Sequence, residues 1–286
     1  MKISIVTASY KQLSWLKLCA ASIADQQGVS FEHIIQDART GPELEDWVRQ
    51  NTTATLVVES DAGMYDAINR GLRRAEGDIC AYLNCDEQYL PGTLRRVADY
   101  FADHPEIDVV FGDAILTDPE LQPVSYRRVV IPRRWHTLLH ALSVLTCATF
   151  FRRKLVEEGA LFDSAWKIIG DKAWILSLLD RGYRLAVLPE PLAVFALTGA
   201  NLSQHRHRTT EKQLWERKVP ALVRFVGPVV LLHHWWCKWR AGAYRPFVGD
   251  LHYYRPDDLR HRADFTHLSL GSSWPRFESG DSVKFQ

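Results

Sequence analysis

The chain has 286 residues, 47% of them hydrophobic, and a formal net charge of +1. This composition suffices for one large folded domain, or for one domain with an appendage. The five cysteines are odd in number and scattered without a CxxC pair, which argues against a disulfide framework and against the usual zinc motifs.

The chain also lacks the sequence signals of secretion and membrane insertion. Its N-terminal apolar run is too short for a signal peptide, and no run reaches the roughly 20 apolar residues that a membrane span needs. We therefore expect a cytoplasmic protein that is soluble or at most peripheral, at the inner face of the plasma membrane. The cysteines are then small buried hydrophobic side chains in a reducing compartment.

Charge is unevenly distributed along the chain. Residues 205–262 carry 12 Lys/Arg against 5 Asp/Glu, and the remainder carries 23 against 29. A basic C-terminal part beside an acidic body suits an anionic neighbour, such as a phosphorylated carrier or a membrane surface. A solvated pair of basic helices is an equally good interpretation of the same charges.

Strand and helix patterns alternate through the first ninety residues. Apolar runs of strand length occupy residues 2–7, 30–36, 54–59 and 79–83. Helical patterns lie between them, at residues 13–24, 43–50 and 64–75. Such β-α repeats predict an α/β fold, with a mostly parallel central sheet, right-handed crossovers and flanking helices.

The pattern after residue 90 is less regular. Helices are predicted at 94–102 and 173–179, and strands at 108–112, 149–153 and 184–188. We expect a loop at 116–134 and a strand break at Pro189 and Pro191. Beyond residue 203 we expect a polar helix at 209–224, an apolar segment at 225–239 kinked by Pro228, and an irregular tail from residue 247.

Polar side chains follow the predicted strands, at the edge where α/β sheets place ligands. The turn after the first strand, TASYKQ, lacks the glycines of a dinucleotide-binding turn, so a diphosphate must be held elsewhere. Asp37 ends the second strand and can accept hydrogen bonds from a ribose or a base. Asp86 follows the fourth strand with no Lys or Arg beside it, which suits a divalent cation with oxygen ligands.

Asp37, the run DAGMYDAINRG at 61–71 and the run LNCDE at 83–87 together resemble bacterial family 2 glycosyltransferases of the GT-A fold. The resemblance covers about residues 1–204 and is specific in combination, with YDAIN as its strongest part. It divides the chain into a GT-A glycosyltransferase domain at 1–204 and a basic, aromatic-rich extension at 205–286, which we expect to be helical and irregular.

The resemblance implies an inverting, metal-dependent, hexosyltransferase-like enzyme. Such an enzyme moves a sugar from a nucleotide-diphosphate donor to a hydroxyl of a saccharide or lipid-linked acceptor, here in surface polysaccharide synthesis, with no nucleic acid partner. Mn²⁺ or Mg²⁺ at Asp86 would neutralise the leaving diphosphate. Asp171 is implied as the catalytic base, because displacement with inversion needs one carboxylate. Capping of the following helix is the other interpretation of Asp171.

The implied donor-binding residues follow the strands or lie on the third helix: Thr7, Ala8, Tyr10, Asp37, Asp61, Tyr65, Asn69, Asn84 and Cys85. Tyr65 and Asn69 are four apart and so share one helix face. Asn84 departs from the family pattern, because it stands where the D-x-D metal motif has its first acid. That departure removes one carboxylate, for which Glu87 is placed to compensate.

Two other functions remain open. Asn84 also fits a non-catalytic saccharide- or nucleotide-binding module with a decayed metal site, which would show no turnover. A nucleotidyltransferase of the same sheet type would need a glycine-rich loop with Lys or Arg after the first strand, and TASYKQ does not provide one.

The extension carries tryptophans beside cations. Trp235, Trp236 and Trp239 stand next to Lys238 and Arg240 at the end of a short apolar segment. This arrangement suits a membrane interface, where aromatic rings and long cationic side chains both find a favourable place. A helix docked on the main domain is the alternative interpretation.

Overall fold

Strands and helices alternate along most of the chain. A computed structural model describes residues 1–140, 142–199 and 208–272, together with two short strands at 276–277 and 283–284. The strands are β1 (Lys2–Ser9), β2 (Ser30–Asp37), β3 (Thr55–Val58), β4 (Ile79–Tyr82), β5 (Glu87–Tyr89), β6 (Val109–Thr117), β7 (Pro123–Arg127), β8 (Thr149–Arg152), β9 (Leu185–Ala196), β10 (Phe247–Arg255), β11 (Asp258–Leu270), β12 (Arg276–Phe277) and β13 (Val283–Lys284). The helices are α1 (Leu13–Ala24), α2 (Pro42–Asn51), α3 (Met64–Arg74), α4 (Thr93–Asp103), α5 (Arg134–Leu139), α6 (Lys154–Glu157), α7 (Gly170–Asp180), α8 (Arg208–Lys218), α9 (Ala221–Phe225) and α10 (Gly227–Arg240).

The first four strands form the parallel half of a nine-stranded sheet, in the order β3-β2-β1-β4. β1 is buried along most of its length because helices cover both faces of the sheet, as is usual for parallel strands. Ile3 and Ile5 belong to the core cluster that includes α1, whereas Val6 packs with α3. Gly71 allows that close packing, since a Cβ there would lie 2.3 Å from Val6 Cγ1.

The other half of the sheet is mixed. β8 lies between β4 and β6 and is antiparallel to both, while β9 runs parallel to β6. β5 pairs antiparallel with β9, and β7 pairs antiparallel with β6. The predicted α/β fold, with a central sheet flanked by helices, is confirmed. Its parallel character is concentrated in the N-terminal half, where the β-α repeats are regular.

Two predictions around β6 are wrong. The strand does not end before Asp113 but continues to Thr117, so that Asp113 lies fully buried in mid-strand. Its carboxylate is stabilised there by hydrogen bonds from the Tyr126 hydroxyl and the Val129 N–H. Part of the predicted loop at 116–134 is also a strand, β7, which supplies Tyr126 to this buried carboxylate.

The predicted break at Pro189 and Pro191 is also wrong, because β9 runs through both prolines. The register of β9 against β6 shifts at this point: Gly112 faces Leu188, whereas the next residue, Asp113, faces Pro191. Extra residues in one strand form a bulge, and a bulge tolerates prolines because their missing N–H groups are not needed for the ladder.

The C-terminal part is more ordered than expected. Residues 247–270 form the antiparallel hairpin β10–β11 instead of an irregular tail. The hairpin packs on the main sheet: the Gln88 side chain exchanges two hydrogen bonds with the Tyr254 backbone, and Arg262 pairs with Asp25 at 2.6 Å. The predicted domain boundary at 204/205 lies outside the described residues, as do positions 200–203 of the turn that the resemblance includes.

Pro228 does not kink the apolar segment of the extension. It lies in the first turn of α10, where backbone N–H groups have no acceptor within the helix, so a proline costs no hydrogen bond there. The predicted polar helix at 209–224 is divided into α8 and α9. Among the helices that the structure describes, none is both long enough and apolar enough to cross a bilayer.

Candidate active site

A cavity of about 690 Å³ opens at the carboxyl ends of the parallel strands. The turns after β1, β2, β3 and β4 contribute to its wall at residues 8–10, 38, 60–61 and 84–87. The far wall comes from later elements, through Thr146, Ile168, Asp171 and Phe195. Residues from the second half of the chain therefore complete the cavity that opens at the carboxyl ends of the N-terminal parallel strands.

The structure brings eight of the predicted site residues together on this wall. They are Ala8, Tyr10, Asp61, Tyr65, Asn84, Cys85, Asp86 and Asp171. Asp86 and Asp171 are 85 positions apart in the sequence, yet they face the same cavity. Several lining residues were not predicted from the sequence, among them Gln12, Thr146 and Phe195, because local motifs do not reveal which distant loops share a cavity.

Three predicted donor-binding residues lie behind the wall. Thr7 is fully buried, and its hydroxyl is 2.9 Å from His33 Nε2 in the core. The Asn69 side chain holds the backbone of Phe162 through two hydrogen bonds, of 2.7 and 3.0 Å. These two side chains stabilise the structure beside the wall, and their direct contact with the donor stays a prediction.

Asp37 is also absent from the residues that line the cavity. Its carboxylate is fully buried and accepts two hydrogen bonds of 2.7 Å from Thr40, one from the backbone N–H and one from the hydroxyl. The carboxylate thus orders the turn after β2, and it is the next residue, Ala38, that lines the cavity. The contact of Asp37 with a ribose or base stays a prediction.

The wall is strongly acidic. Asp61, Asp86, Glu87 and Asp171 line it, and among the described lining residues there is no Lys, Arg or His. Burial raises the pKa of Asp86 to about 6. Burial, and secondarily the charge of Asp86, raises the pKa of Glu87 to about 8. Two desolvated neighbouring carboxyl groups disfavour each other's ionisation, which a bound cation would reverse.

The donor atoms at this point fit a divalent cation. Glu87 Oε2 accepts a hydrogen bond from the Asn84 N–H at 2.8 Å, which shapes the turn. In the described part of the chain Glu87 Oε1 is buried without a hydrogen-bond partner. A buried, unpaired carboxylate oxygen next to Asp86 is a hard ligand of the kind that Mg²⁺ and Mn²⁺ prefer. Glu87 therefore joins Asp86 as a candidate ligand, as its position in the sequence suggested.

Asp171 lies in the first turn of α7 and is partly buried. Burial raises its pKa to about 6, although hydrogen bonding from the Lys172 N–H and the charge of Lys172 oppose the shift. Tyr65 on α3 fixes the backbone here: its hydroxyl accepts from the Asp171 N–H and donates to the Ile168 carbonyl. Gly170 makes this approach possible, since a Cβ there would lie 2.5 Å from the Tyr65 ring.

Sequence reasoning also missed a residue outside the lining that shapes the site, Glu211 on α8. Its buried carboxylate accepts hydrogen bonds from the N–H groups of Lys167, Ile168 and Ile169, at 2.6 to 3.0 Å. These residues lead directly into α7 and Asp171. A glutamate in a polar helix pattern looks like any solvated surface acid, so no local signal could have identified it.

Comparison with known proteins agrees with this architecture. Residues 4–159, more than half of the chain, match the family model "Glycosyl transferase family 2". The chain belongs to glycosyl transferase family 2. A curated relative from Mycobacterium bovis (strain BCG / Pasteur 1173P2), a "PGL/p-HBAD biosynthesis glycosyltransferase", is 27% identical over 180 residues, covering 59% of this chain and 66% of its own length.

Solved structures of two other proteins share the fold. TarS of S. aureus, solved with UDP-GlcNAc, matches with a TM-score of 0.59 and 17% identity, over 72% of this chain and 61% of TarS 1–349. The mannosyltransferase PcManGT of Pyrobaculum calidifontis, solved with GDP-Man and Mn²⁺, matches with a TM-score of 0.55 and 19% identity, over 84% and 73% of the two chains. The chain thus spans a little under two thirds of the length of the first of these relatives.

Proposed function

We propose that this family 2 protein is an inverting, metal-dependent glycosyltransferase. It transfers a hexose-type sugar from a nucleotide-diphosphate donor to a hydroxyl of a saccharide or lipid-linked acceptor in surface polysaccharide synthesis. The observation that carries the proposal is the common cavity of Asp86 and Asp171: one carboxylate for the leaving-group side of the reaction and one for the acceptor side.

Asp171 is the proposed base. Its carboxylate takes the proton of the acceptor hydroxyl as the acceptor oxygen attacks the anomeric carbon. The bond from that carbon to the diphosphate oxygen breaks on the opposite face, which inverts the configuration. A pKa of about 6 keeps Asp171 ionised at neutral pH, yet makes it a stronger base than an ordinary aspartate.

Asp86, with Glu87 beside it, is the proposed seat of Mn²⁺ or Mg²⁺. When bound, the cation supplies Lewis-acid stabilisation of the departing diphosphate. Support comes from the acidic wall: a diphosphate would meet four carboxyl groups there and, among the described lining residues, no cationic side chain. The relative PcManGT was solved with Mn²⁺ and GDP-Man together, which agrees with this arrangement.

The proposed donor site comprises the cavity residues around these two acids. Ala8, Tyr10, Asp61, Asn84 and Cys85 lie on the nucleotide side, after β1, β3 and β4. Tyr10 is more than half exposed and is placed to stack on a base. Nucleotide-sugar donors are found in the related structures of TarS, with UDP-GlcNAc, and of PcManGT, with GDP-Man.

The first test measures donor turnover. The purified chain is mixed with UDP- and GDP-sugars, with and without Mn²⁺, and release of the free nucleotide is followed with a saccharide acceptor. Asp86→Ala and Asp171→Asn should each lose most of the turnover. Asp99→Asn, an exposed acid on α4, is the matched control and should retain it. Turnover that survives both active-site substitutions would contradict the assignment; donor binding without any turnover would favour the binding module.

We further propose peripheral attachment to an anionic membrane surface through α10. Val229, Leu232, Trp235, Trp236 and Trp239 on this helix are all about half exposed or more. The opposite side of α10 packs on the domain through His234 and Cys237. An apolar face turned outward, with Lys238 and Arg240 beside it, fits the interface of a membrane that contains anionic lipids.

Vesicle sedimentation tests the attachment. The chain should sediment with vesicles of phosphatidylcholine and phosphatidylglycerol, and much less with phosphatidylcholine alone. Replacing Trp235 and Trp239 by Ser should abolish sedimentation, whereas replacing Trp135, an exposed tryptophan on α5, should not. Sedimentation that is equal for the double variant and the native chain would contradict the role of α10.

A further inference from the structure

Imidazole and thiol groups converge between α5 and α10, apart from the residues that line the cavity. His136 on α5 and His233 and Cys237 on α10 each offer one ligand atom, and these atoms all lie within 4.8 Å of one another. His233 and Cys237 are four residues apart, so they project from the same face of α10. His136 is almost a hundred positions away in the sequence, which is why spacing motifs did not reveal the group.

The distances approach those of a tetrahedral zinc site. His136 Nε2 lies 3.0 Å from His233 Nδ1, and Cys237 Sγ lies 3.6 Å from His233 Nε2. Zinc bonds of about 2.0–2.1 Å to nitrogen and about 2.3 Å to sulfur place neighbouring tetrahedral ligands about 3.3 to 3.6 Å apart. The two contacts use different nitrogens of His233, of which only one can bind the ion, but one ligand atom from each of the three residues still lies within 4.8 Å of the others. His233 is on the exposed side of the group, and a rotation of its ring away from its present contacts would place one nitrogen on an ion shared with His136 and Cys237.

Two further histidines, His234 and His140, lie next to the three candidate ligands. His234 Nδ1 lies 3.3 Å from His136 Nδ1, the ring nitrogen of His136 that would not face the metal. A hydrogen bond at that nitrogen fixes the tautomer and orientation of a metal-bound imidazole. His140 stacks on His234, and its buried Nε2 has no hydrogen-bond partner among the described residues. This histidine-rich packing is costly for a plain helix contact, because each buried ring nitrogen needs a partner.

We propose that His136, His233 and Cys237 bind one Zn²⁺ ion, with water in the fourth position. Thiolate and imidazole ligands suit zinc and not the hard cations expected at Asp86. The ion would fasten α10 to α5 and so hold the apolar face of α10 outward. The proposal rests on these three side chains and their geometry alone, and it does not depend on the proposed transferase activity or on membrane attachment.

Metal content provides the test. The full-length chain is stripped with a chelator, incubated with Zn²⁺, passed through a desalting column and analysed for zinc per chain. The native chain should retain one zinc, and His136→Gln, His233→Gln and Cys237→Ser should each lose it. His252→Gln, an exposed histidine on β10, and Asp86→Ala should both keep it, which separates this site from the cavity.

Cobalt gives an independent readout of the thiolate. Co²⁺ added to the stripped native chain should produce a sulfur-to-metal charge-transfer band, absent from Cys237→Ser and present in Asp86→Ala. His233→Gln alters an exposed ring, so it should remain folded by circular dichroism even if the two buried substitutions unfold the chain. A native chain that retains no zinc, or a Cys237→Ser variant that retains zinc and the cobalt band, would overturn the proposal in favour of a metal-free histidine cluster.

Discussion

The hydroxyl of Tyr65 accepts a hydrogen bond of 3.1 Å from the backbone N–H of Asp171. Tyr65 belongs to the YDAIN run on α3, and Asp171 lies in the first turn of α7, 106 residues later. The contact joins the most specific motif of the sequence to the proposed base. Tyr65 therefore has a structural role that does not require donor contact, because its hydroxyl holds the backbone from which Asp171 projects.

Tyr65→Phe should therefore lower turnover more than donor affinity. Removing the hydroxyl leaves the Asp171 N–H without its partner, a cost of about 1–3 kcal/mol for a buried donor. We expect kcat to fall by about tenfold with little change in KM for the donor, because the base loses its position and the nucleotide pocket does not. Steady-state kinetics check this, with Tyr100→Phe on α4 as the control. A rise in KM with kcat unchanged would instead assign Tyr65 to donor binding.

Gly170→Ala should disturb the same contact from the other side. The added Cβ would lie 2.5 Å from Tyr65 Cε2, so the ring or the start of α7 must move. Overpacking of this kind costs about 1–3 kcal/mol, and we expect a lower Tm together with reduced turnover. Gly227→Ala is the matched control, because nothing lies within 4 Å of a Cβ at the start of α10. A variant at 170 with native Tm and native turnover would show that the approach is not tight.

The raised pKa of Asp171 predicts how both the activity and the stability of the folded chain depend on pH. Activity that needs the ionised carboxylate should fall about tenfold per pH unit below about pH 6 and level off above it. Because the folded-state pKa lies above the usual 3.8, the folded chain binds the proton more tightly, and stability falls as pH rises from about 4 through about 6.

Asp171→Asn should accordingly be inactive and yet more stable at pH 7.5, by about 3 kcal/mol, with the difference vanishing near pH 4. Thermal unfolding of both chains across this pH range measures it. Asp99→Asn, at an exposed position, should give no such pH-dependent gain. A Tm for Asp171→Asn below that of the native chain at pH 7.5 would contradict this. It would indicate that the Asp171 carboxylate stabilises the fold as a helix cap by more than its burial destabilises it.

Glu211→Ala, a substitution in the C-terminal extension, should destabilise the segment that leads into α7 and positions Asp171. It leaves three N–H groups before α7 without their acceptor, and we expect a loss of about 3 kcal/mol and a fall in kcat. Glu211→Gln keeps one carbonyl acceptor and should be intermediate. Glu216→Ala, on the solvent side of the same helix, should behave like the native chain. If Glu211→Ala unfolds no earlier and turns over as fast as the native chain, α8 has no part in positioning Asp171.

The sequence predicted the first half of the fold well, because periodicity there is local: α1 begins and ends at the predicted residues, Leu13 and Ala24. The sequence-based predictions failed where the structure of a segment depends on pairing with residues that are distant in the sequence. Pro189 and Pro191 look like a strand break, and only the shifted register against β6 accommodates them. The hairpin β10–β11 was missed because its strands mix apolar and polar side chains without a clear strand pattern and are stabilised by docking on distant residues such as Gln88 and Asp25.

The same limit applies to the site. Three acids of the cavity wall, Asp61, Asp86 and Asp171, could be predicted, since the first two belong to the runs DAGMYDAINRG and LNCDE and the third lies at the start of a predicted helix. Thr7 and Asn69 share those motifs, but which side of a turn or helix faces the core depends on partners such as His33 and Phe162. No local pattern reveals such partners, and the same holds for Glu211 and for His136.

Calorimetric binding of UDP and GDP, with and without Mn²⁺, tests the central claim most directly: that Asp86 holds a cation which in turn binds the diphosphate. We predict that Mn²⁺ strengthens nucleotide binding to the native chain at least tenfold. The Asp86→Ala chain should lose this effect, and the Asp171→Asn chain should keep it. Metal-independent binding by the native chain, or an equal gain from Mn²⁺ in Asp86→Ala, would contradict the claim.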